Sequence, residues 1–220
     1  MHKKLIFISI IIVLMLCGCK TQTIDSDLHQ ISGQAHYVDG YEPIGEAGYL
    51  RVVIEIPTGT TEKWEVDKSD GKLHWEVKNG KRRIVQYIGY PGNYGMIPQT
   101  LLSYENGGDG DPLDVLVLGP PIKRGEIVQA RLIGGLSLLD GGEQDDKLIA
   151  VMENTVFQSV SSIENLDQKF PGVLSIIETW FVSYKGQGKI ESSGFLSPIE
   201  ANTILEKAIH SYDLYLLEKH

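Results

Sequence analysis

Asp109-Gly110-Asp111-Pro112-Leu113-Asp114-Val115-Leu116-Val117-Leu118 joins the two features on which the reading turns. Three carboxylates fall within six residues and run straight into an apolar segment at residues 113–118. A run of that length, apolar in all but Asp114, reads as a strand buried on both faces. Its acidic lead-in therefore stands at the entrance to the core. Like charges held that close repel and raise one another's pKa unless a cation neutralises them. Oxygen donors in such number favour magnesium or manganese over zinc. An isolated acidic turn is more often simply solvated. An EF-hand loop fails on position, because its glycine belongs where Asp114 stands and Pro112 has no place in it.

Outward from this segment the chain is first β and then helical. Residues 49–57 are β-branched and stopped by Pro57. Residues 63–67 and 73–77 alternate with period two around Asp70-Gly71, a hairpin signal. Residues 83–88, 127–133 and 147–152 are further strand candidates. Val173, Ile176, Ile177, Trp180, Phe181 and Tyr184 recur at helical spacing. Ser197-Pro198-Ile199-Glu200 has the form of a capping box with proline at the first helical position. The stripe Leu205, Ala208, Ile209, Tyr212, Tyr215 and Leu216 follows it. Short strands followed by helices predict an α+β fold, a small five-stranded OB-like β-barrel with flanking C-terminal helices.

A second acidic group, Asp140, Glu143, Asp145 and Asp146, ends in Lys147 at a predicted strand. Alone it reads as an exposed loop, since charge runs are usually solvated. Beside the first group it suggests two carboxylate sets converging on several divalent ions, as phosphoryl transfer to water requires.

The N-terminal residues carry a different message. Lys3 and Lys4 precede an uncharged apolar run at residues 5–16, shorter than the ~20 residues of a spanning helix. Leu16-Cys17-Gly18-Cys19 resembles a bacterial lipobox, which implies cleavage before Cys19 and lipidation of its thiol. The division expected is a signal peptide at 1–18, a lipidated cysteine and flexible tether at 19–48, and a folded domain at 49–220. The chain has only two cysteines, Cys17 and Cys19, so the folded part holds no disulfide and no thiolate metal site. A net charge of −9 argues against nucleic acid, while 42% hydrophobic and 22% charged residues fit a globular domain.

The 109–116 stretch resembles the signature of soluble family I inorganic pyrophosphatases. That pattern reads Asp, a small or polar residue, Asp, Pro or Glu, an apolar residue, Asp, then a small or apolar residue. Val53-Ile54-Glu55-Ile56-Pro57, Lys63-Trp64-Glu65, Tyr90-Pro91-Gly92-Asn93-Tyr94-Gly95, the Asp140 to Lys147 group and Tyr184-Lys185 follow in the family's order. The resemblance implies hydrolysis of pyrophosphate at a site with several Mg2+ ions, Mn2+ or another divalent ion being alternatives. It implies Asp109, Asp114, Asp140 and Asp145 as metal ligands and Asp111 as the general base. Lys63, Arg82, Tyr94, Lys147, Tyr184 and Lys185 look like the phosphate-binding set, supported by Glu55, Glu65 and Tyr90. Spacing to Tyr90 and strand alternation favour Arg82 over its neighbour Arg83. Asp140-Gly141 departs from the Asp-Glu often found there.

The partners implied are pyrophosphate and, through Cys19, a membrane of the bacterial cell envelope. No nucleic acid is implied, and a homo-oligomer is left open. The rival readings are a catalytically dead lipoprotein whose acidic face binds divalent ions or a partner, and a phosphohydrolase for nucleotides or polyphosphate.

Overall fold

The computed structural model describes residues 29–219 together with the strand Ile24–Asp25. The expected signal peptide, residues 1–18, and Cys19 lie outside the described residues. In chain order the strands are β1 (Ile24–Asp25), β2 (Gln30–Ile31), β3 (Leu50–Ile56), β4 (Trp64–Val66), β5 (Leu73–Trp75), β6 (Val77–Lys78) and β7 (Lys81–Arg82). They continue with β8 (Asn93–Met96), β9 (Asp114–Leu118), β10 (Ile127–Asp140), β11 (Glu143–Gln144) and β12 (Lys147–Val151). Helices α1 (Ile163–Lys169) and α2 (Val173–Ser183) precede β13 (Ile190–Leu196), and α3 (Pro198–Glu218) ends the chain.

β9 is the hub. It pairs antiparallel with β8 and parallel with β12. Its alternation serves two cores at once: Leu116 and Leu118 face α2, packing with Ile149, Val151, Ile177, Trp180 and Phe181. Val115 and Val117 point the other way, with Leu148, Ala150 and the α3 residues Ala201, Leu205 and Ala208. A strand buried on both faces can carry no polar residue in its middle, which is why residues 115–118 are apolar without a break and the one charge, Asp114, stands at the strand's first position.

The main sheet has seven strands, where a five-stranded barrel was expected. Its path runs β11-β10-β12-β9-β8-β3, with β13 added on β10 and a further pairing between β10 and β3. The difference comes from β10, which is 14 residues long rather than ending at Ile133. Its first part pairs β3, its middle β12 and its last part β13. Gly134 and Gly135 interrupt the apolar pattern at the crossing. At Gly134, with φ of 148°, a Cβ would come 2.4 Å from both the Leu196 carbonyl and Ile163. Close backbone approach excludes a side chain here and permits the bulge.

Two further expectations are corrected. Residues 30–48 are not a free tether: Ile31, Tyr37 and Val38 are buried with Val53, Trp64, Leu73 and Tyr212 in a third core. The Tyr37 hydroxyl donates to the Gly125 carbonyl at 2.7 Å. These apolar residues follow no period, so pattern reading passed over them. Residues 83–88 form no strand, only an isolated bridge from Ile84 to Glu62.

The capping box at Ser197 and Glu200 is present. The α3 stripe is buried only as far as Tyr212, and Tyr215 and Leu216 are exposed. Helix α1, capped by Ser162, and strand β13 were not anticipated. No helix among the described residues is long and apolar enough to cross a membrane.

Candidate active site

The parallel pairing of β9 and β12 places Val115 opposite Leu148. The residues entering the two strands, Asp114 and Lys147, therefore meet at one end of the sheet. Lys147 is 4% exposed. Its Nζ donates to Asp114 Oδ2 at 2.5 Å and to Asp145 Oδ1. Burial alone would lower the Lys147 ammonium, but Asp114 and Asp145 hold it above the ordinary lysine range. Burial would raise Asp114, yet Lys147 and Lys63 outweigh it and keep that carboxyl below its usual value. At Asp145 burial prevails over Lys147, and the carboxyl is raised.

Lys63, just before β4, closes the opposite wall. Its Nζ lies 2.7 Å from Glu65 Oε1 and 5.4 Å from the centre of the Tyr94 ring. Burial would lower it, but Tyr90, Glu65 and Glu55 hold it high. Glu55 is a carboxylate in a β3 position otherwise occupied by core residues. It is 4% exposed, accepts from the Val66 N–H at 2.8 Å, and is pushed up by burial to about 8.

The third wall comes from α2, which ends at the cleft. Tyr184 stacks on Trp180 at 4.7 Å, and Trp180 in turn lies 4.3 Å from Tyr90. Tyr184 thus belongs both to the apolar stripe and to the cleft. Lys185, next in sequence, pairs with Asp140 at the end of β10.

These side chains line one cleft of about 250 Å³, together with Asp109 and Asp111. Seven of its residues are carboxylic, Glu55, Glu65, Asp109, Asp111, Asp114, Asp140 and Asp145. Four are cationic, Lys63, Arg83, Lys147 and Lys185. With all of them ionised the lining carries a formal charge of −7 + 4 = −3. Tyr90 is buried behind the lining, against Tyr94 at 5.2 Å.

Arg82 is the misplaced residue. Arg83 lines the cleft, bonded to Glu76 Oε2 at 2.7 Å. Arg82 is exposed on the other side of the β6–β7 hairpin, over the Trp75 ring at 5.0 Å and against His29. Alternation does admit only one of the pair, and Arg82, the last residue of β7, takes the outer position while Arg83 turns inward. Asp146, in the second acidic group, points away and accepts from the Leu138 N–H at 3.1 Å. Lys68, which sequence reasoning did not single out, reaches the Asp111 carboxylate. It lies on the turn that follows the alternating segment, so no periodicity marks it.

The protein-family model described as inorganic pyrophosphatase matches residues 52–213. The chain belongs to that family. The Helicobacter pylori enzyme named inorganic pyrophosphatase is 34% identical over 179 residues, covering 80% of this chain and 98% of its own. The yeast mitochondrial inorganic pyrophosphatase is 34% identical over 155 residues, 62% of this chain but only 50% of the yeast protein. Among solved structures, the Schistosoma japonicum inorganic pyrophosphatase superposes with a TM-score of 0.76 at 27% identity, covering 80% of this chain and 70% of that one. The motif shared with the pyrophosphatase family is therefore embedded in the family's fold as well as its sequence.

The donors suit the divalent ions of the pyrophosphatase reading. The cleft offers oxygen donors without histidine or cysteine, the preference of hard cations. Its surplus of negative charge would repel a polyanion unless cations entered with it. The cleft carboxylates are nonetheless not packed ligand to ligand, because Lys147 and Lys185 stand among them. Among the described residues the tight trio of such groups is Asp67 and Asp70, exposed on the β4–β5 turn, with the half-buried His74 of β5, and it does not line the cleft.

Burial of Glu55 has a consequence for metal-free protein. A carboxyl whose folded pKa is raised from 4.5 to about 8 binds its proton more tightly in the native state. Stability then falls as pH rises from about 4.5 to 8 and levels off above, by on the order of 5 kcal/mol. Glu55→Gln should remove that part of the slope in denaturant unfolding with chelator. Parallel pH profiles for the two proteins would contradict it.

Proposed function

We propose that this chain hydrolyses inorganic pyrophosphate to two orthophosphates in the cleft between β4, β9, β12 and α2. The observation that carries the reading is the opposition of carboxylates and cationic side chains in one small, polar cleft. Asp109, Asp114, Asp140 and Asp145 would hold Mg2+ or another divalent cation. Bound there, such cations neutralise the substrate's charge and make water more acidic. Lys63, Lys147, Arg83 and Lys185 supply charge-assisted donors to the phosphate oxygens, and Tyr184 a neutral one. Tyr94 and Tyr90 back that wall, keeping the lysines in place. Asp111 accepts the proton of the attacking water as oxygen joins one phosphorus. The P–O bond to the bridging oxygen breaks, and the second phosphate leaves with the electron pair. No side-chain nucleophile is required.

Phosphate release from pyrophosphate by the purified chain, with magnesium and with EDTA, tests the reading. Rapid release abolished by EDTA supports it; no release with magnesium, manganese or cobalt leaves an ion-binding scaffold as the function. The arginine pair gives a finer check. Arg83→Met should raise KM about tenfold or more through loss of a charge-assisted contact, with Arg82→Met within twofold of wild type. The reverse ranking would restore Arg82.

We propose further that the chain is a lipoprotein of the bacterial envelope, attached through Cys19. Lys3 and Lys4, the uncharged run at 5–16 and the Leu16-Cys17-Gly18-Cys19 junction support it. Radiolabelled fatty acid should enter the protein and be lost in Cys19→Ala. Recovery of unlabelled protein from the cytosol alone would exclude it.

A further inference from the structure

Asp111 stands at the open side of the cleft, with its side chain 57% accessible. The backbone around it is fixed. Gly110 N–H donates to the Leu102 carbonyl at 2.7 Å, Leu102 N–H to the Asp111 carbonyl at 2.8 Å, and Asp111 N–H to Asp109 Oδ1 at 2.9 Å. None of these bonds fixes the Asp111 side chain itself. Among the described residues its carboxylate has one hydrogen-bond donor, Lys68 Nζ, at 2.5 Å from Oδ1. The same ammonium donates to the Gly110 carbonyl at 2.7 Å.

Lys68 comes from a different part of the chain, 43 residues away. It sits on a turn that is itself rigid. Asp67 N–H donates to the Lys72 carbonyl at 2.9 Å, and Gly71 N–H to the Asp67 carbonyl at 2.8 Å. The Asp67 carboxylate caps the turn through the Ser69 N–H and hydroxyl. A lysine on a fixed base thus spans to a carboxylate that nothing else orients.

An ion pair whose partners are 49% and 57% accessible does little for folding, typically under about 1 kcal/mol. Its value lies in direction. Two donor contacts, one to the carboxylate and one to the backbone just before it, define where the free oxygen of Asp111 points. We propose that Lys68 is a positioning residue for the hydrolysis: it holds Asp111 in the orientation from which Oδ2 accepts the proton of the attacking water. The inference rests on the pyrophosphatase reading and on Asp111 as the base.

The experiment is a double-mutant cycle on the full-length protein, with kcat, KM and Tm measured for wild type, Lys68→Met, Lys68→Arg, Asp111→Asn and the Lys68→Met/Asp111→Asn pair. Misorienting a group by about 1 Å can cost as much as a hundredfold in rate. Lys68→Met should therefore lower kcat about ten- to a hundredfold, leave KM within twofold and hardly move Tm. Lys68→Arg should recover much of the loss. In the Asp111→Asn background Lys68→Met should cost nothing further, since there is no base left to orient. Unchanged kcat in Lys68→Met would overturn the proposal. So would a raised KM that persists in the Asp111→Asn background, which would make Lys68 a substrate contact. An inactive wild type would instead overturn the pyrophosphatase reading itself, so the two failures are distinct.

Discussion

Asp111→Asn lowers kcat for pyrophosphate hydrolysis by about 10²- to 10⁴-fold, the usual contribution of a positioned general base. The substitution keeps the shape of the side chain and removes only its capacity to take a proton. Asp111 is solvent-accessible and makes no buried contact, so Tm should stay within about 2 °C, no more than the shift expected for 1 kcal/mol in a domain of this size. KM should also change little, because the phosphate-binding donors lie on the other walls of the cleft. Steady-state phosphate release at saturating magnesium, beside thermal unfolding of the same preparations, separates these effects. A loss below threefold would place the base elsewhere in the cleft.

Lys147→Met produces the largest change in stability, and one that depends on what else is in solution. The substitution keeps the length of the side chain but takes away the buried cation between Asp114 and Asp145. Leaving such carboxylates without their partner costs about 3–5 kcal/mol. In wild type the Asp114 carboxyl is held below its ordinary value. Its contribution to stability is therefore present above the unfolded pKa and lost as pH falls through the folded one. Without Lys147 the sign reverses, since Asp114 would then bind its proton more tightly in the native state. The deficit of the variant should be greatest in EDTA near pH 7, shrink toward pH 4, and shrink again when magnesium is added at pH 7. Denaturant unfolding under these three conditions tests the prediction. A deficit that ignores both pH and magnesium would mean that lost packing, not lost charge, is the cause.

The parts of the fold legible in the sequence are those where one physical demand governs many consecutive residues. Burial on both faces wrote residues 113–118 as a run apolar in all but Asp114, and helical spacing with a capping box marked α2 and α3. Where two demands alternate along one element, the signal breaks. β10 changes partner from β3 to β12 to β13, and its glycines at the crossing look like the end of a strand. Ile31, Tyr37 and Val38 fill a gap without belonging to a periodic element, so they read as a tether. The two acidic groups of the candidate site were legible for a different reason, because their charges cluster in sequence; Glu55, Lys63, Tyr184 and Lys185 were reached only through the resemblance to the family. The exceptions were Arg83 and Lys68, whose placement depends on hairpin geometry that no short pattern encodes.

The ladder between β9 and β12 also acts as a gauge. Side chains on a strand alternate between faces, so a slip of one residue exchanges every inward and outward position. Such a slip in β12 would carry Leu148 into the charged cleft and turn Ile149 and Val151 to the α3 face, where Ala150 now lies against Ala201, Leu205 and Ala208. Lys147 would lose its place beside Asp114 in the same movement. Misregistry at the charges is therefore coupled to disruption of two apolar layers. The many small contacts of the core proofread the alignment of the few groups that meet the substrate.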